Sequence, residues 1–447
     1  MSVPEYTLHV DRIAQRIANG GLKPGDRLPP QRAFAYEAGI AVSTAARVYG
    51  ELLRRGLIVG EVGRGTFVAG ASAAALSVRG EPIEGSIDLD FNFPTIPQQA
   101  ALIAKSMAGM QRADAVAAAF SPITARRLDA ARRALAMLLG SGDWRPDPDG
   151  FTFTGCGRQS IAAAMSALVP VGGRIAVEAV SYPLVKSVAT RLGVSIVPIA
   201  MDDDGLRPDQ LAKAHRTSAV SAVYLQPILH NPLGMTMSAG RRSDIIRTAR
   251  KLRLFIIEDL VYSFLSDVPP LAAEAPDMSV VVDSFSKRIA AGAGLGWLWV
   301  PEALRDRLAT VVRTGAWNVG PLPLDIGTRL MADGTAAEIA RLKREDARRR
   351  QAIVAECLEG FEVLADPGSY HAWLRLPEKW RSDPFAAAAA KAGVSLTPSS
   401  AFAMTPGHAP NAVRLALGLP PLADLKTALE RVRRLLRSDG ETMDLTE

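Results

Sequence analysis

The sequence has almost no cysteine and no apolar stretch of membrane-spanning length, and each shortage excludes a class of protein. Its two cysteines, Cys156 and Cys357, lie far apart and without metal-like spacing. Neither a disulfide framework nor a zinc site is expected, and a reducing compartment fits. The most apolar stretches, such as 254–257 and 386–390, fall far short of a bilayer. The opening MSVPEYTLHVDRIAQRI has no basic segment leading into an apolar one, which argues against a signal peptide. The expected location is the cytoplasm, with no membrane partner. Charge is only mildly one-sided: a formal net charge of +6 admits a nucleic-acid partner without demanding one. What the sequence does have is 48% apolar and 22% charged residues, enough for a sizeable core, over 447 residues that allow two or three domains.

Residues 8–19 carry Leu8, Ile13 and Ile17 at helical spacing against Asp11, Arg12 and Arg16, and Asn19-Gly20-Gly21 closes that helix. Lys23-Pro24-Gly25-Asp26 reads as a turn, and Leu28-Pro29-Pro30-Gln31-Arg32 opens a second helix with proline in its first turn. Glu37-Ala38-Gly39 ends it, and a third helix is expected over about 43–55. Two extended runs, 57–61 and 66–68, flank Gly63-Arg64-Gly65. Three helices and a small β-ribbon predict a winged helix-turn-helix over residues 1–70. Residues 71–86 are rich in Ala, Ser and Gly without a sustained period and read as a linker. From residue 87 to 447, β-branched runs at 151–154, 174–177, 195–198, 222–225, 255–258, 280–283 and 296–300 alternate with helical stretches. That alternation predicts an α/β domain with a mainly parallel sheet covered by helices. A long basic helix from about residue 342, then signals at 371–376 and 413–417, predict a smaller C-terminal α+β lobe.

Nine basic and six acidic side chains share residues 1–70, so their placement says more than their excess. Arg32 begins the second helix, Arg47 lies on the third, and Arg64 sits between glycines at the ribbon tip, which suits a phosphate or narrow-groove contact. Ser43 and Thr44 stand at the start of the third helix, where hydroxyls and backbone N–H groups meet phosphates and base edges. Solvated arginines on a small helical domain have the same spacing; the order of signals is more specific. The segment GGLKPGDRLPPQRAFAYEAGIAVSTAARVYGELLRRGLIVGEVGRGTFV closely resembles the GntR-type winged helix-turn-helix, above all in LPPQR, VST and GRGTFV. The resemblance covers nearly all of residues 8–69 and implies a double-stranded DNA operator as partner.

Five separated motifs downstream fit one chemistry, that of pyridoxal phosphate held as a Schiff base, which needs a lysine amine, a carboxylate for the pyridine nitrogen, donors for the phenolic oxygen, an aromatic ring and a phosphate cradle. Lys287, in Asp283-Ser284-Phe285-Ser286-Lys287 after a strand, is the imine candidate, with the Ser284 and Ser286 hydroxyls available to the phosphate. Asp259 ends the 255–258 strand, at the edge where open α/β sheets bind ligands. Tyr262, and Asn231 in His230-Asn231-Pro232-Leu233-Gly234, can serve the phenolic oxygen. Gly155-Cys156-Gly157-Arg158-Gln159-Ser160 joins a strand to a helix whose N-terminus would cradle phosphate, and Tyr182 can stack on the ring. Each motif alone is weak; their joint order is the evidence.

Residues from about 87 to 435 resemble the fold type I aminotransferases, and the whole chain resembles the MocR-type regulators, transcription factors with a GntR-type head and an aminotransferase-like effector domain. The resemblance implies Lys287 as the imine lysine, Asp259 on the pyridine nitrogen, Asn231 and Tyr262 on the phenolic oxygen, Tyr182 stacked, and Gly157, Arg158, Gln159, Ser284 and Ser286 around the phosphate. It also implies Arg414, in Asn411-Ala412-Val413-Arg414-Leu415, as the fork that grips an effector carboxylate. A homodimer is expected, with an amino compound or a B6 vitamer as effector. The match has gaps. Such proteins usually carry a phosphate-binding arginine where Gly294 stands, and Arg288, next to Lys287, is the expected substitute. Ala340 and Lys343 stand where a histidine and an arginine are common. Three functions are compatible with the sequence: a ligand-sensing regulator, a working aminotransferase with an appended DNA-binding head, and a DNA-binding protein whose large domain is only a dimer scaffold. Intact Lys287, Asp259, Asn231 and Tyr262 weigh against the last.

Overall fold

The computed structural model describes residues 5–22, 26–54, 57–61, 65–68, 85–142, 144–405 and 407–438. Arg64, and all of the expected linker before residue 85, lie outside them. Helices Glu5–Ala18, Gln31–Ala38 and Val42–Arg54 form the head. Val10 and Ile13 of the first pack with Val48, Tyr49 and Leu52 of the third, and with Leu28, Ile58 and Val68 from the ribbon. The spacing of Val48, Tyr49 and Leu52 puts three buried side chains on one stripe of the third helix, and each contributes roughly 1.5–3 kcal/mol by leaving water. The Tyr49 hydroxyl donates to the Pro29 carbonyl at 2.6 Å, tying that helix to the entry of the second. Pro30 stands just before the second helix, in extended backbone, not inside its first turn. The ribbon has three strands in the order Arg27–Leu28, Gly65–Val68, Ile58–Glu61, all antiparallel. The two-residue first strand was hidden in sequence by its length.

All seven expected strands of the large domain are present in one sheet. Its order is Phe151–Thr154, Gly296–Trp299, Ser279–Ser284, Phe255–Asp259, Ala222–Leu225, Arg174–Glu178, Ser195–Ile199. Only Gly296–Trp299 runs against its neighbours. Along Ser279–Ser284 every residue is buried. Val280 and Val282 enter one apolar cluster and Val281 the opposite one, the alternation of a strand covered on both faces. The parallel strands therefore end together on one edge, and Asp259 and Ser284 close adjacent strands there.

The smaller lobe holds a second sheet in the order Val363–Leu364, His371–Arg375, Ala412–Ala416, Val394–Pro398, Ile87–Leu89. Its last strand comes from the start of the domain and pairs in parallel with residues 394–396, so the chain emerging from the linker region is sewn to the C-terminal lobe. Between sheet and lobe runs the helix Thr335–Cys357, which buries Ile339, Lys343, Asp346, Arg350 and Val354 along one face. Among the described residues no helix is long and apolar enough to cross a membrane.

Candidate functional site

At the carboxyl ends of the parallel strands lies a cavity of about 410 Å³. The strand Ser279–Ser284 turns there into the four-residue helix Phe285–Arg288, with the Ser284 hydroxyl accepting from the Ser286 N–H at 3.4 Å. Phe285 is fully buried edge-on to Trp297, ring centroids 5.4 Å apart, and this anchors the turn so that Lys287 lines the cavity. The Lys287 amine donates to the Asn92 carbonyl at 2.5 Å and stands 3.5 Å from the centre of the Phe93 ring. Burial first, then the charges of Arg414, Lys343 and Arg158, bring its pKa down to about 7, against the pull of Asp259. A large fraction is thus free amine at neutral pH, the form that attacks a carbonyl.

Asp259 accepts from the Tyr224 hydroxyl at 2.7 Å and from the Val261 N–H at 3.1 Å, yet burial pushes it up to about 6. A carboxylate so placed gains from a cationic partner. Tyr262 is buried, accepts from Asn92 Nδ2 at 2.9 Å, and is pushed up to about 12 mainly by desolvation, so it remains a phenol able to donate. Asn231 is held at its backbone by Gln226 and at Oδ1 by Arg414 Nη1, 3.2 Å away. Behind it, His230 and Glu178 form a fully buried pair at 3.1 Å. Tyr182 is half-buried in the cavity wall, its phenol raised by burial.

At the other end of the cavity the strand Phe151–Thr154 leads into the helix Gly157–Leu168, whose N-terminus the Cys156 side chain does not cap. A Cβ on Gly157 would come 3.1 Å from Ser284 Oγ, so glycine lets the helix start meet that hydroxyl. Gly157, Arg158, Ser284 and Ser286 all line the cavity, and together they make an anion cradle of helix N-terminus, hydroxyls and one exposed cation. Arg414, on Ala412–Ala416, donates to Asn231, to Thr397 Oγ1 at 2.9 Å and to the Asp90 carbonyl.

Two expected residues lie elsewhere. Gln159 turns back onto its own loop, accepting from the Gly155 N–H at 2.8 Å, and does not line the cavity. Arg288 points into the core, paired with Asp283 at 3.1 Å and lying 5.3 Å from the Phe264 ring centre. Successive helical residues project about 100° apart at 3.6 residues per turn, so a turn that aims Lys287 at the cavity aims Arg288 away. The expectation that Arg288 supplies the missing phosphate charge fails on this geometry. Gly294 itself adopts φ +62°, a left-handed conformation that favours glycine.

Other contributors had been given no role: Asp90, Asn92 and Phe93, which follow the strand Ile87–Leu89, Tyr224 and His371, and Lys343, noted in sequence only as a departure from the family. Phe91-Asn92-Phe93-Pro94 carries no periodic signal, and only the tertiary pairing of Ile87–Leu89 brings it here. In the head, Arg32 and Ser43 are exposed and Thr44 half-buried at the starts of the second and third helices. Arg47 is exposed, with its guanidinium 4.5 Å from the Tyr6 ring centre.

The residues present fit pyridoxal phosphate. Asn92 Oδ1 and Arg414 Nε, both on cavity-lining residues, are buried without a hydrogen-bond partner among the described residues, which leaves an acceptor and a donor for a polar ligand.

Residues 9–68 match the family of bacterial regulatory proteins, gntR family, and residues 85–432 match aminotransferase class I and II. The chain belongs to the MocR-type regulators. This MocR-type chain is 30% identical to the HTH-type transcriptional regulator YdeF of Bacillus subtilis, over 97% of its own length and 94% of the relative's. It is 26% identical to the vitamin B6 salvage pathway transcriptional repressor PtsJ of Salmonella typhimurium, covering 89% and 91% of the two chains. Among solved structures, an archaeal alanine:glyoxylate aminotransferase superposes with a TM-score of 0.71 at 23% identity, over 82% of this chain and 93% of that one, a likeness of fold. The MocR-type chain thus joins a DNA-binding head to a domain of the aminotransferase fold.

Proposed function

We propose that this transcription regulator holds pyridoxal phosphate on Lys287 and senses an amino compound, or the B6 vitamer itself, through Schiff-base chemistry. The observation that carries the reading is a buried amine near neutrality in one cavity with Asp259, Tyr262, Asn231 and an anion cradle. When bound, the cofactor supplies an aldehyde that condenses with primary amines. Lys287 presents the nucleophile; Asp259 pairs with the ring nitrogen; Tyr262 and the Asn231 amide donate to the phenolic oxygen; Tyr182 stacks. Gly157, Arg158, Ser284 and Ser286 hold the phosphate, with Gln159 bracing their loop. Arg414 receives an effector carboxylate.

The route to the head begins at residues 90–93, just after the proposed linker of residues 71–86. Arg414 holds the Asp90 carbonyl, Lys287 holds the Asn92 carbonyl, and Tyr262 holds the Asn92 amide. An amine that bonds to carbon gives up N–H donors, so a ligand joined to Lys287 would compete with the Asn92 carbonyl for that amine. Such competition supplies the differential contacts that a ligand switch requires. Paired heads of a homodimer would engage two half-sites of an operator. The lowered pKa of Lys287 also suits proton transfer, which favours residual transamination as a second reading. The test is the visible spectrum of the purified chain with pyridoxal phosphate and candidate amines, beside Lys287→Ala. Absorbance confined to the wild type, and shifted by an amine, supports sensing. Ketoacid turnover at enzyme-like rates supports the second reading.

A further inference from the structure

Lys343 is fully buried on the inner face of the helix Thr335–Cys357 and does not line the cavity. Its amine donates to the Lys287 carbonyl at 2.9 Å and to the Ile289 carbonyl at 2.8 Å. These carbonyls belong to the end of the short helix that carries Lys287, where a helix leaves acceptors unpaired and its dipole favours a cation. The clamp is itself braced. The Tyr370 hydroxyl contacts the Lys343 carbonyl at 2.8 Å and Asp346 Oδ2 at 2.9 Å, and Arg350 bonds Asp346 at 2.6 Å. Arg350 in turn reaches the Leu417 and Pro420 carbonyls, each at 2.6 Å, so the clamp is continuous with the C-terminal lobe.

We propose that Lys343 is a positioning residue for Lys287: it fixes the backbone from which that side chain projects and sets a second amine behind the Lys287 amine. The inference rests on the reading of Lys287 as the aldehyde-binding amine. The charged groups facing Lys287 are Arg414, Lys343, Arg158 and Asp259; Lys343 faces Asp346 and the Tyr370 phenol. Burial also brings Lys343 down to about 7, against the pull of Asp346, and its charge is one of those that lower Lys287. A lysine with two carbonyl acceptors and no access to the cavity serves its neighbour.

The experiment follows capture of pyridoxal phosphate by the full-length chain, read as visible absorbance against pH, for wild type, Lys343→Gln and Lys343→Arg. Glutamine keeps a donor for the carbonyls and removes the charge; arginine keeps the charge. The expected result is a midpoint near 7 in wild type, raised by roughly half to one pH unit in Lys343→Gln, with about twofold to fivefold slower capture at pH 7. Lys343→Arg restores most of the wild-type profile. An unchanged midpoint in a folded Lys343→Gln overturns the proposal, even if that variant melts earlier. Should Lys343→Gln not fold, a Lys343→Arg midpoint above that of Lys343→Met overturns it equally. No capture by wild type at any pH sinks the reading of Lys287 itself, a distinguishable failure.

Discussion

In the head, Arg32 stands exposed at the start of the second helix and Arg47 exposed midway along the third. In the large domain Arg288, Arg350 and Arg414 are each less than a tenth exposed, and each is bonded to protein acceptors. The two regions use the same side chain differently. An exposed guanidinium keeps its hydration until a phosphate replaces it, so its place on a helix nearly decides its use. A buried guanidinium has committed most of its donors to the fold, and its use depends on which remain, as Nε does on Arg414. Arg288 shows the consequence, because Asp283 has claimed it.

Four measurements test how the two regions divide their work. The largest effect is all-or-none. Lys287→Ala should abolish visible absorbance and the mass gained on borohydride reduction with pyridoxal phosphate, while the isolated change leaves the head's helices intact by circular dichroism. Retained absorbance would reassign the amine. Next, Arg288→Ala should strip the partner from a buried acid and cost about 3–5 kcal/mol of stability. Asp283 is pushed up to about 7 by burial, so below that pH it is mostly neutral and the pair contributes little, whereas above it the pair is ionic. The variant should therefore lose more melting temperature at pH 8 than at pH 5, with cofactor affinity little changed. A large loss of affinity at unchanged stability would return Arg288 to the phosphate.

Third, Arg47→Ala should weaken operator binding by about 1–3 kcal/mol if it reads a base edge. A pure phosphate contact, expected for Arg32→Ala, should instead lower the log–log salt slope by about 0.9. Neither change should alter pyridoxal phosphate binding, and a coupled loss would contradict the division of labour. The smallest effect is a pH profile. With Asp259 near 6 and Lys287 near 7, carboxylate and free amine are both present only above that range. Capture should rise roughly twentyfold from pH 6 to pH 8 and then level off, where a solvent-exposed lysine would keep gaining toward pH 10.

Much of this molecule is legible in the amino-acid order, and the rest fails for physical reasons. The seven strands of the large sheet announce themselves because both faces are covered and their runs are apolar. Lys287, Asp259, Tyr262, Asn231 and Arg414 sit in local motifs, and all five line the cavity. Arg27–Leu28 and Ile87–Leu89 are too short to show a period and exist through pairing with distant strands. Asn92 and Phe93 reach Lys287 only through the second of those pairings. Arg288 is misread from sequence because adjacency along a helix is divergence in space. Lys343 has no motif to explain it until the carbonyls of residues 287 and 289 are seen beside its amine.

The central claim is that occupancy of the Lys287 site is reported to the head. It is tested most directly by titrating full-length protein onto its operator with and without pyridoxal phosphate, for wild type and Lys287→Ala. The account predicts that the cofactor changes wild-type affinity or footprint and leaves Lys287→Ala unmoved. Identical operator binding in all four titrations, with the wild type demonstrably loaded, would contradict it.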